Sequence, residues 1–391
     1  MKNYFVDLHI HIGRTESGKP VKISGSRNLT FYNIAHEAAT RKGIDMIGII
    51  DCHAPSVQEE IMAYLHNGEM VELAGGGIQY RDATIILGSE IEVRDDGCGP
   101  THLLAYLPNL TSMQQFTKWM SGYMKNIELS SQRIYVTSRE LQQEVLSRGG
   151  IMIPAHIFTP YKSVYGSGSR WIADMLDLNG LAAVELGLSS DTYMASYLSE
   201  LDELAFVTNS DAHSLQKIGR EYNQMRMVEP SFQELVKALA FQEGRAILGN
   251  YGLNPQLGKY HRTFCAQCDA VLDEVQISIS QCLNCGSRRI VRGVMDRIIA
   301  LADRESPLIM PHRPPYHNQI PLEFIPGLGE KRLEQLLGHF GTEMKVLHQA
   351  ALADLIPIVG IEIAESILKA REGILKVDVG GGGRYGRIQP D

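Results

Sequence analysis

Asp7, His9 and His11 stand two apart in YFVDLHIHIG, residues 4–13. Alternate residues of an extended strand share a face. This spacing therefore presents one carboxylate and two imidazoles on one side, with Val6, Leu8, Ile10 and Ile12 on the other. The same residue types recur at the ends of later apolar runs. Asp51 and His53 follow DMIGII, Glu90 lies in ILGSEIE, His102 in THLLAY and His156 in IPAH. Glu185 lies in VEL, Asp191 in the loop after it, and Asp211 and His213 in VTNSDAH. Imidazoles with carboxylates suit Zn, with Mn, Mg or Fe as alternatives, and several of each suit a site of two or three ions. Two such ions clamp a phosphodiester, activate a water and stabilise the leaving oxygen. A lone histidine at a strand end is usually a structural hydrogen-bonding residue. Here only His36 and His66, of the histidines in residues 1–258, fall in helical surroundings, a bias that packing alone does not produce.

Such residues need elements to carry them. Short apolar strands are expected at 4–10, 45–50, 84–88, 102–106, 150–154, 181–186 and 204–208, with amphipathic runs such as 30–42 and 138–148 between them. Strand–helix alternation predicts an α/β fold with parallel strands over residues 1–250. The C-terminal rim of a parallel barrel is where strand-end ligands converge. A chain of 391 residues exceeds one ordinary core, so two or three domains are expected. No apolar run reaches the ~20 residues that span a bilayer, and the first residues lack a signal-peptide pattern. The expectation is a cytoplasmic protein without a membrane partner. The formal net charge of −8 falls within residues 1–258, where bound cations can offset it.

Residues 251–315 contain a linker and two CxxC knuckles, Cys265/Cys268 and Cys282/Cys285. In a cytoplasmic chain this pattern predicts a ribbon with one structural Zn held by four thiolates. Arg288, Arg289, Arg292 and Arg297 follow it and are either phosphate contacts or a solvated helix face.

Within residues 316–376, FIPGLGEKRLEQLLGHFGT (324–342) and LIPIVGIEIAESILKAREG (355–373) share a pattern of Pro, a Gly-bearing turn and an amphipathic helix. The pair resembles a tandem helix–hairpin–helix module. That resemblance implies DNA-phosphate binding at the helix N-terminus after Gly327 and Gly329, with Lys331 and Arg332 adding charge. The second copy carries Ile358 in place of Gly327 and is expected to act as a packing partner. Residues 377–391 are Gly-rich and expected to be a flexible tail.

DLHIH, DCH, GSE, HLL, PAH and SDAH, in that order, resemble the polymerase-and-histidinol-phosphatase superfamily of phosphoesterases. The resemblance implies a distorted seven-stranded β/α barrel with up to three metals. One ion would be held by His9, His11 and Asp211. Glu90 would bridge it to a second, held also by His102 and His156. His53 and His213 would hold a third, completed by Asp51, Glu185 or Asp191, because GRTESGKP (13–20) offers no clear ligand. Asp7, one step further from the rim, would orient a ligand imidazole. Glu90, Asp211 and Asp191 are the expected catalytic carboxylates, and Arg170 and Arg220 the candidate phosphate-binding cations.

A phosphoesterase barrel, a ribbon and tandem hairpins in this order are similar to the endonuclease Q family of DNA-repair enzymes. The similarity implies hydrolysis 5′ of deaminated bases (uracil, hypoxanthine, xanthine) and of abasic sites, with base flipping. ELAGGGIQYRD (72–82) and YKSVYGSGSR (161–170) would wall the base pocket. The expected partner is lesion-bearing DNA, with a sliding clamp as a candidate recruiter. The expected state is a nucleoid-associated monomer. Two readings compete: a DNA-associated phosphatase acting on terminal phosphates, and a non-catalytic DNA-binding scaffold.

Overall fold

Ten strands make the main sheet of the computed structural model, which describes residues 1–273, 278–374, 377–378, 380–382, 384 and 386–388. In chain order the first strands of the chain are β1 (Lys2–Ile10), β2 (Met46–Ile49), β3 (Val71–Glu72), β4 (Ile78–Tyr80) and β5 (Ala83–Val93). They continue β6 (Thr101–Leu107), β7 (Ile151–Pro154), β8 (Val184–Glu185), β9 (Phe206–Val207), β10 (Tyr222–Met227) and β11 (Ala246–Gly252). Of these, β8 and β9 form a separate parallel ladder.

The strands that carry the site run β1-β2-β5-β6-β7 in the main sheet. The β8–β9 ladder stands in the gap between β7 and β1. It is tied to β7 where the Ala182 amide donates to Met152 O (3.1 Å), and to β1 where the Ala212 amide donates to His9 O and the His11 amide to Ala212 O (both 3.1 Å). Seven strands therefore follow one another back to β1, and two of the joins are bridges rather than ladders. This is the distorted α/β arrangement that the sequence suggests.

It departs from the expected parallel run at β6, which is antiparallel to both β5 and β7. The connection over residues 94–100 is too short for a crossover, and parallel neighbours need a dozen or more residues between them. Reversal sets His102 opposite Glu92 at the start of β6. That start lies at the same end of the sheet as the ends of β1 and β5.

A bulge in β1 decides which way its side chains point. Val6 and Asp7 pair with Met46 and Ile47, but the next partner of Ile49 is Ile10, so β1 holds one residue more than β2 over this stretch. An extra residue re-aims everything after it. Val6 and Leu8 accordingly share a buried cluster with Ile86, Leu104, Ile153 and Val207, on the faces of β5 and β6 that also carry Glu90 and His102. Ile10 and Ile12 belong to the other cluster, with Ile47, Ile85, Leu87 and Leu103. The expectation of one apolar face from Val6 to Ile12 is thus corrected. Val6 and Leu8 form an apolar floor, and His9 and His11 point the same way above it. Helices α1 (Phe31–Glu37), α2 (Pro55–His66), α3 (Leu110–Met120) and α4 (Ser138–Ser147) pack against the other cluster through Phe31, Val57, Phe116 and Leu141.

The sheet extends past β1 through antiparallel β10, which the polar mixture EYNQMRM conceals in the sequence, and then β11. Two short strands, β12 (Phe264–Cys265) and β13 (Ile290–Val291), pair in the ribbon. Strand β14 (Tyr316–Asn318) adds to β11 in parallel.

Helices α5 (Thr192–Ala195), α6 (Phe232–Leu239) and α7 (Val294–Leu301) precede the C-terminal set. That set is α8 (Glu330–Phe340), α9 (Glu343–His348), α10 (Leu352–Val359) and α11 (Ile361–Glu372). It is docked on the barrel. Lys42 Nζ is 2.9 Å from Glu343 Oε1, Arg41 pairs with Glu334, and His348 stacks on Phe5 at 4.5 Å while bonding Tyr222 Oη at 2.6 Å. Breaking a buried ion pair on one side leaves the other charge uncompensated, so Lys42 and Glu343 fix the seating.

Where the sequence suggests a flexible tail, Val377–Asp378 pairs with Arg387–Ile388. The Gly380 and Gly386 amides donate to Gln256 O (2.6 Å) and Leu257 O (2.9 Å). Side-chain-free glycines let this backbone approach the 256–258 segment closely. Residues 389–391 lie outside the described residues. Among the described residues no helix is long and apolar enough to cross a membrane.

Candidate metal centre

Glu90, near the end of β5, sits at the middle of the converging strand ends. Its Oε1 lies 2.8 Å from His102 Nδ1, 3.5 Å from His156 Nε2 and 3.6 Å from His9 Nε2. Its Oε2 lies 3.6 Å from His11 Nε2. Asp211 Oδ1 is 3.5 Å from His9 Nε2 and 3.6 Å from His11 Nε2. Three groups of ligand-type atoms result: His9, His11 and Glu90; Glu90, His102 and His156; His11, Asp211 and His213. Within each group the atoms lie within 4.8 Å of one another. An ion bound at about 2.0–2.2 Å spreads its ligands over nearly that span.

The buried His9 Nε2 and His102 Nε2 have no hydrogen-bond partner. Leaving such an atom unpaired costs about 1–3 kcal/mol, and a bound cation removes that cost. The donor set fits divalent metal.

Carboxylates hold the other ring nitrogens. Glu185 accepts from His9 Nδ1 at 3.0 Å, from the His156 amide at 2.8 Å and from Asn209 Nδ2 at 2.8 Å. Asp51 accepts from His11 Nδ1 at 3.1 Å and from the Ile12 amide at 2.8 Å. Such contacts set the tautomer that leaves Nε2 free to bind metal. Burial works to raise Asp51, but the His11 imidazole and the Lys22 ammonium overcome it and hold the carboxyl down at about 2. Burial likewise opposes ionisation of Glu90, yet His102 and Lys22 keep it well below the usual carboxylate range. Burial, with His11 and Lys22 nearby, lowers His213 to about 4 despite Asp211. Burial works to lower His9 and His11, but Glu185 and Asp211 raise the first well above the ordinary imidazole value and Asp51 raises the second, so binding of a cation there would displace protons from these imidazoles.

Two ligand candidates sit on uncommon backbone. His156 has φ 31° and Asp211 φ 46°, in the region where non-glycine residues are rare and mark constraint. Gly187 makes room for the first of these. A Cβ there would lie 2.9 Å from His156 Cβ, and its own φ is +81°.

Not every expected residue arrives. Asp7 falls on the opposite face because of the β1 bulge, and accepts from the Ser210 (3.0 Å) and Gly219 (2.9 Å) amides. It anchors the loop that carries Asp211 rather than orienting an imidazole. His53 lies beneath the cluster, with Nδ1 2.9 Å from Ser89 Oγ and Nε2 3.4 Å from Leu129 O, and joins none of the three groups. Asp191 caps helix α5 through the Met194 amide (2.8 Å) and does not line the cleft. Glu185 and Asp51, candidates to complete a third ion, are engaged by imidazoles instead.

Sequence reasoning missed Asn209, Ser130 and Ser131. Ser130 Oγ is 3.2 Å from His11 Nδ1, and Ser131 bonds Glu90. The two serines come from a loop with no strand pattern, so nothing local marks them.

The cleft above these groups has a volume of about 690 Å³ and is lined by Tyr161, Lys162, Gly187, Leu188, Lys259 and Tyr260, among others. Lys217 and Arg220 lie on one side of it. Segment 161–170 therefore contributes to the wall as expected. Segment 72–82 does not, because β3 and β4 pair at the opposite end of β5 from Glu90. Arg170 is exposed beside the Trp171 ring, at 5.5 Å.

In the ribbon, Cys265 Sγ and Cys285 Sγ are 3.6 Å apart, as are Cys268 Sγ and Cys282 Sγ. Disulfides would need about 2.05 Å. A tetrahedral zinc with bonds of about 2.3 Å sets its sulfurs about 3.8 Å apart. Cys268→Ser is expected to remove about one equivalent of bound Zn, the content of one four-thiolate site, and to leave the barrel's ions in place. Element analysis of the purified variant checks this, and unchanged Zn would refute the ribbon.

Among the C-terminal helices, Gly327 has φ +78° and its carbonyl accepts from Arg332 Nη1 at 2.8 Å. Gly329 precedes α8 with no side-chain cap, and a Cβ there would meet nothing within 4 Å. Lys331 and Arg332 are exposed on its first turn. In the second copy Pro357 lies inside α10 rather than before the turn.

Residues 193–243 match the family model described as PHP-associated. The chain is 50% identical to the uncharacterized protein YqxK of Bacillus subtilis (strain 168), over 100% of each chain. The lesion-specific endonuclease PfuEndoQ from Pyrococcus furiosus superposes with a TM-score of 0.86 at 30% identity, covering 99% of this chain and 95% of that one. A structure of endonuclease Q with a 27-mer duplex substrate bearing an abasic lesion at the active site gives 0.85 at 29% identity, over 100% and 97% of the two chains.

Proposed function

The chain belongs to the endonuclease Q family of metal-dependent DNA endonucleases, and from that premise we propose that it nicks DNA 5′ of deaminated bases and abasic sites. The observation that carries the proposal is the cleft itself. Its floor gathers Glu90, His11, His102, His156, Asp211 and His213, and its wall bears Tyr161 and Tyr260, whose rings meet edge to face at 5.8 Å. About 690 Å³ falls inside the range of roughly 300–1,000 Å³ that compact ligands fill, and one extruded nucleotide is of that size.

Bound ions would supply an activated water and neutralise the leaving oxygen. The chain's own groups do the rest. Glu185 and Asp51 hold the imidazoles. Arg220, whose Nε donates to Ser210 O at 2.7 Å, places positive charge beside the phosphate. Tyr161 and Tyr260 give an extruded base an aromatic surface. Zn is the first choice of ion for this donor set, with Mn, Mg or Fe as alternatives.

The test is cleavage of an end-labelled duplex carrying uracil, hypoxanthine, xanthine or an abasic site, beside an unmodified duplex. An internal nick 5′ of the lesion, dependent on metal, is expected. Release of terminal phosphate without internal nicking would replace the proposal with a phosphatase.

The hairpin after Gly327 and Gly329 supports a sequence-independent grip on the duplex. Replacing both glycines with valine puts a side chain where φ is +78° and fills the open front of the turn. Affinity for damaged and undamaged duplex should fall together, by about tenfold, roughly 1.4 kcal/mol, with a shallower salt dependence. Binding curves at two salt concentrations check this. Lost discrimination with retained affinity would place lesion reading in the hairpin instead.

A further inference from the structure

The donor chemistry of the cleft limits how many ions it can hold. The three ligand groups are not independent. His11 belongs to two of them, and Glu90 to two. A carboxylate has two oxygens and can bridge. An imidazole nitrogen has one lone pair and cannot. The other nitrogen of His11 is occupied by Asp51 at 3.1 Å and Ser130 at 3.2 Å. If His11 Nε2 serves the ion of His9, Glu90 and Asp211, the third group keeps only His213 and a shared carboxylate. His53 does not supply the deficit, since it faces Ser89 and Leu129 O.

A different cation occupies that neighbourhood. Lys22 Nζ lies 3.2 Å from Glu90 Oε2 and 2.5 Å from Ser131 Oγ, with 15% of its side chain exposed. Its backbone is pinned. The Lys22 amide donates to Ile12 O and the Gly25 amide to Lys22 O (both 2.9 Å). The preceding residue is held by Val21 N to Gly13 O and by Ser130 N to Val21 O (both 3.0 Å). A long flexible side chain is thus launched from a fixed point between the exit of β1 and the serine loop. An ammonium has three donors. Two are used on Glu90 and Ser131, and Lys22 also lines the cleft.

We infer that Lys22 stands in place of a third metal ion: the barrel binds two ions, and the Lys22 ammonium supplies the third positive charge, donating to a non-bridging oxygen of the bound phosphodiester. This deepens the endonuclease reading and rests on it for the substrate. A fixed ammonium on Glu90 Oε2 keeps that oxygen turned toward His11. It also adds charge that does not depend on metal supply.

Ion counting needs no substrate, so its result stands even if the chain nicks nothing. Element analysis of the full chain should give three ions, two in the barrel and one in the ribbon. Lys22→Ala should keep all three and its melting temperature. Single-turnover cleavage by Lys22→Ala should fall about 10²–10³-fold, the usual effect of removing one transition-state donor, with duplex affinity within about twofold. Lys22→Arg, which keeps the charge, should recover at least tenfold of that loss. Four ions in the wild-type chain would overturn the inference. So would loss of barrel ions from Lys22→Ala, or cleavage by Lys22→Ala at the wild-type rate.

Discussion

Glu90→Gln should leave a folded protein that no longer cleaves and no longer retains either barrel ion. Glu90 is the one carboxylate that reaches His9, His102 and His156 through one oxygen and His11 through the other. Glutamine keeps the shape and removes the charge, and an amide has one weakly donating oxygen in place of two anionic ones. The expected loss in single-turnover rate is at least about a thousandfold, or ~4 kcal/mol of transition-state stabilisation. The ribbon Zn should stay, so element analysis should drop from three ions to one. A rate within tenfold of wild type would mean that Glu90 is only a hydrogen-bond hub for imidazoles, and the metal reading would go with it.

Asp211→Ala should be almost as damaging but should cost one ion, not two. Its carboxylate lies near His9 and His11 and is absent from the group of Glu90, His102 and His156. Burial opposes ionisation of Asp211, and His9 together with His11 and His213 overcomes it, holding the group well below its ordinary value. Alanine at φ 46° adds a backbone penalty of about 1–2 kcal/mol that aspartate and asparagine largely escape. Asp211→Asn is therefore the companion variant, because it removes the charge and tolerates the conformation. Both should cleave at least about a hundredfold more slowly (~2.7 kcal/mol) and bind duplex normally. If Asp211→Asn cleaves normally while Asp211→Ala does not, the residue matters for its backbone and not as a ligand.

The ligand candidates were legible because their types are conspicuous against apolar strands. His9, His11, Glu90, His102, His156, Asp211 and His213 each end or begin a run that a single sequence displays. What could not be read was which partner each one meets. Glu185 looked like a spare ligand, yet its distance from His9 in the chain hides a 3.0 Å contact. His53 carries the right type at the right strand end, but its ring nitrogens are taken by Ser89 and Leu129 O. Asp191 reads as a catalytic carboxylate until the short helix after it supplies an amide to cap. Lys22, Ser130 and Ser131 lie in loops, where neither periodicity nor spacing carries information about depth. The fold followed the same rule. The α/β alternation was visible, whereas the reversed β6 and the extra strands β10 and β11 depend on connection lengths and edge pairing that residue patterns do not encode.

The bulge in β1 makes the centre a matter of parity. Before it, even-numbered residues face the floor. After it, odd-numbered ones do, so Leu8 and His9 look the same way although they are adjacent. Exchanging Val6 or Leu8 for another aliphatic side chain changes only the filling of the floor. Deleting Leu8 would remove the extra residue and restore plain alternation between Asp7 and Ile10, so His9 and His11 would still face the floor, with one apolar side chain fewer beneath them. The direction of the first ligand pair therefore survives loss of the bulge, and what the extra residue adds is the Leu8 side chain in the floor beneath the imidazoles.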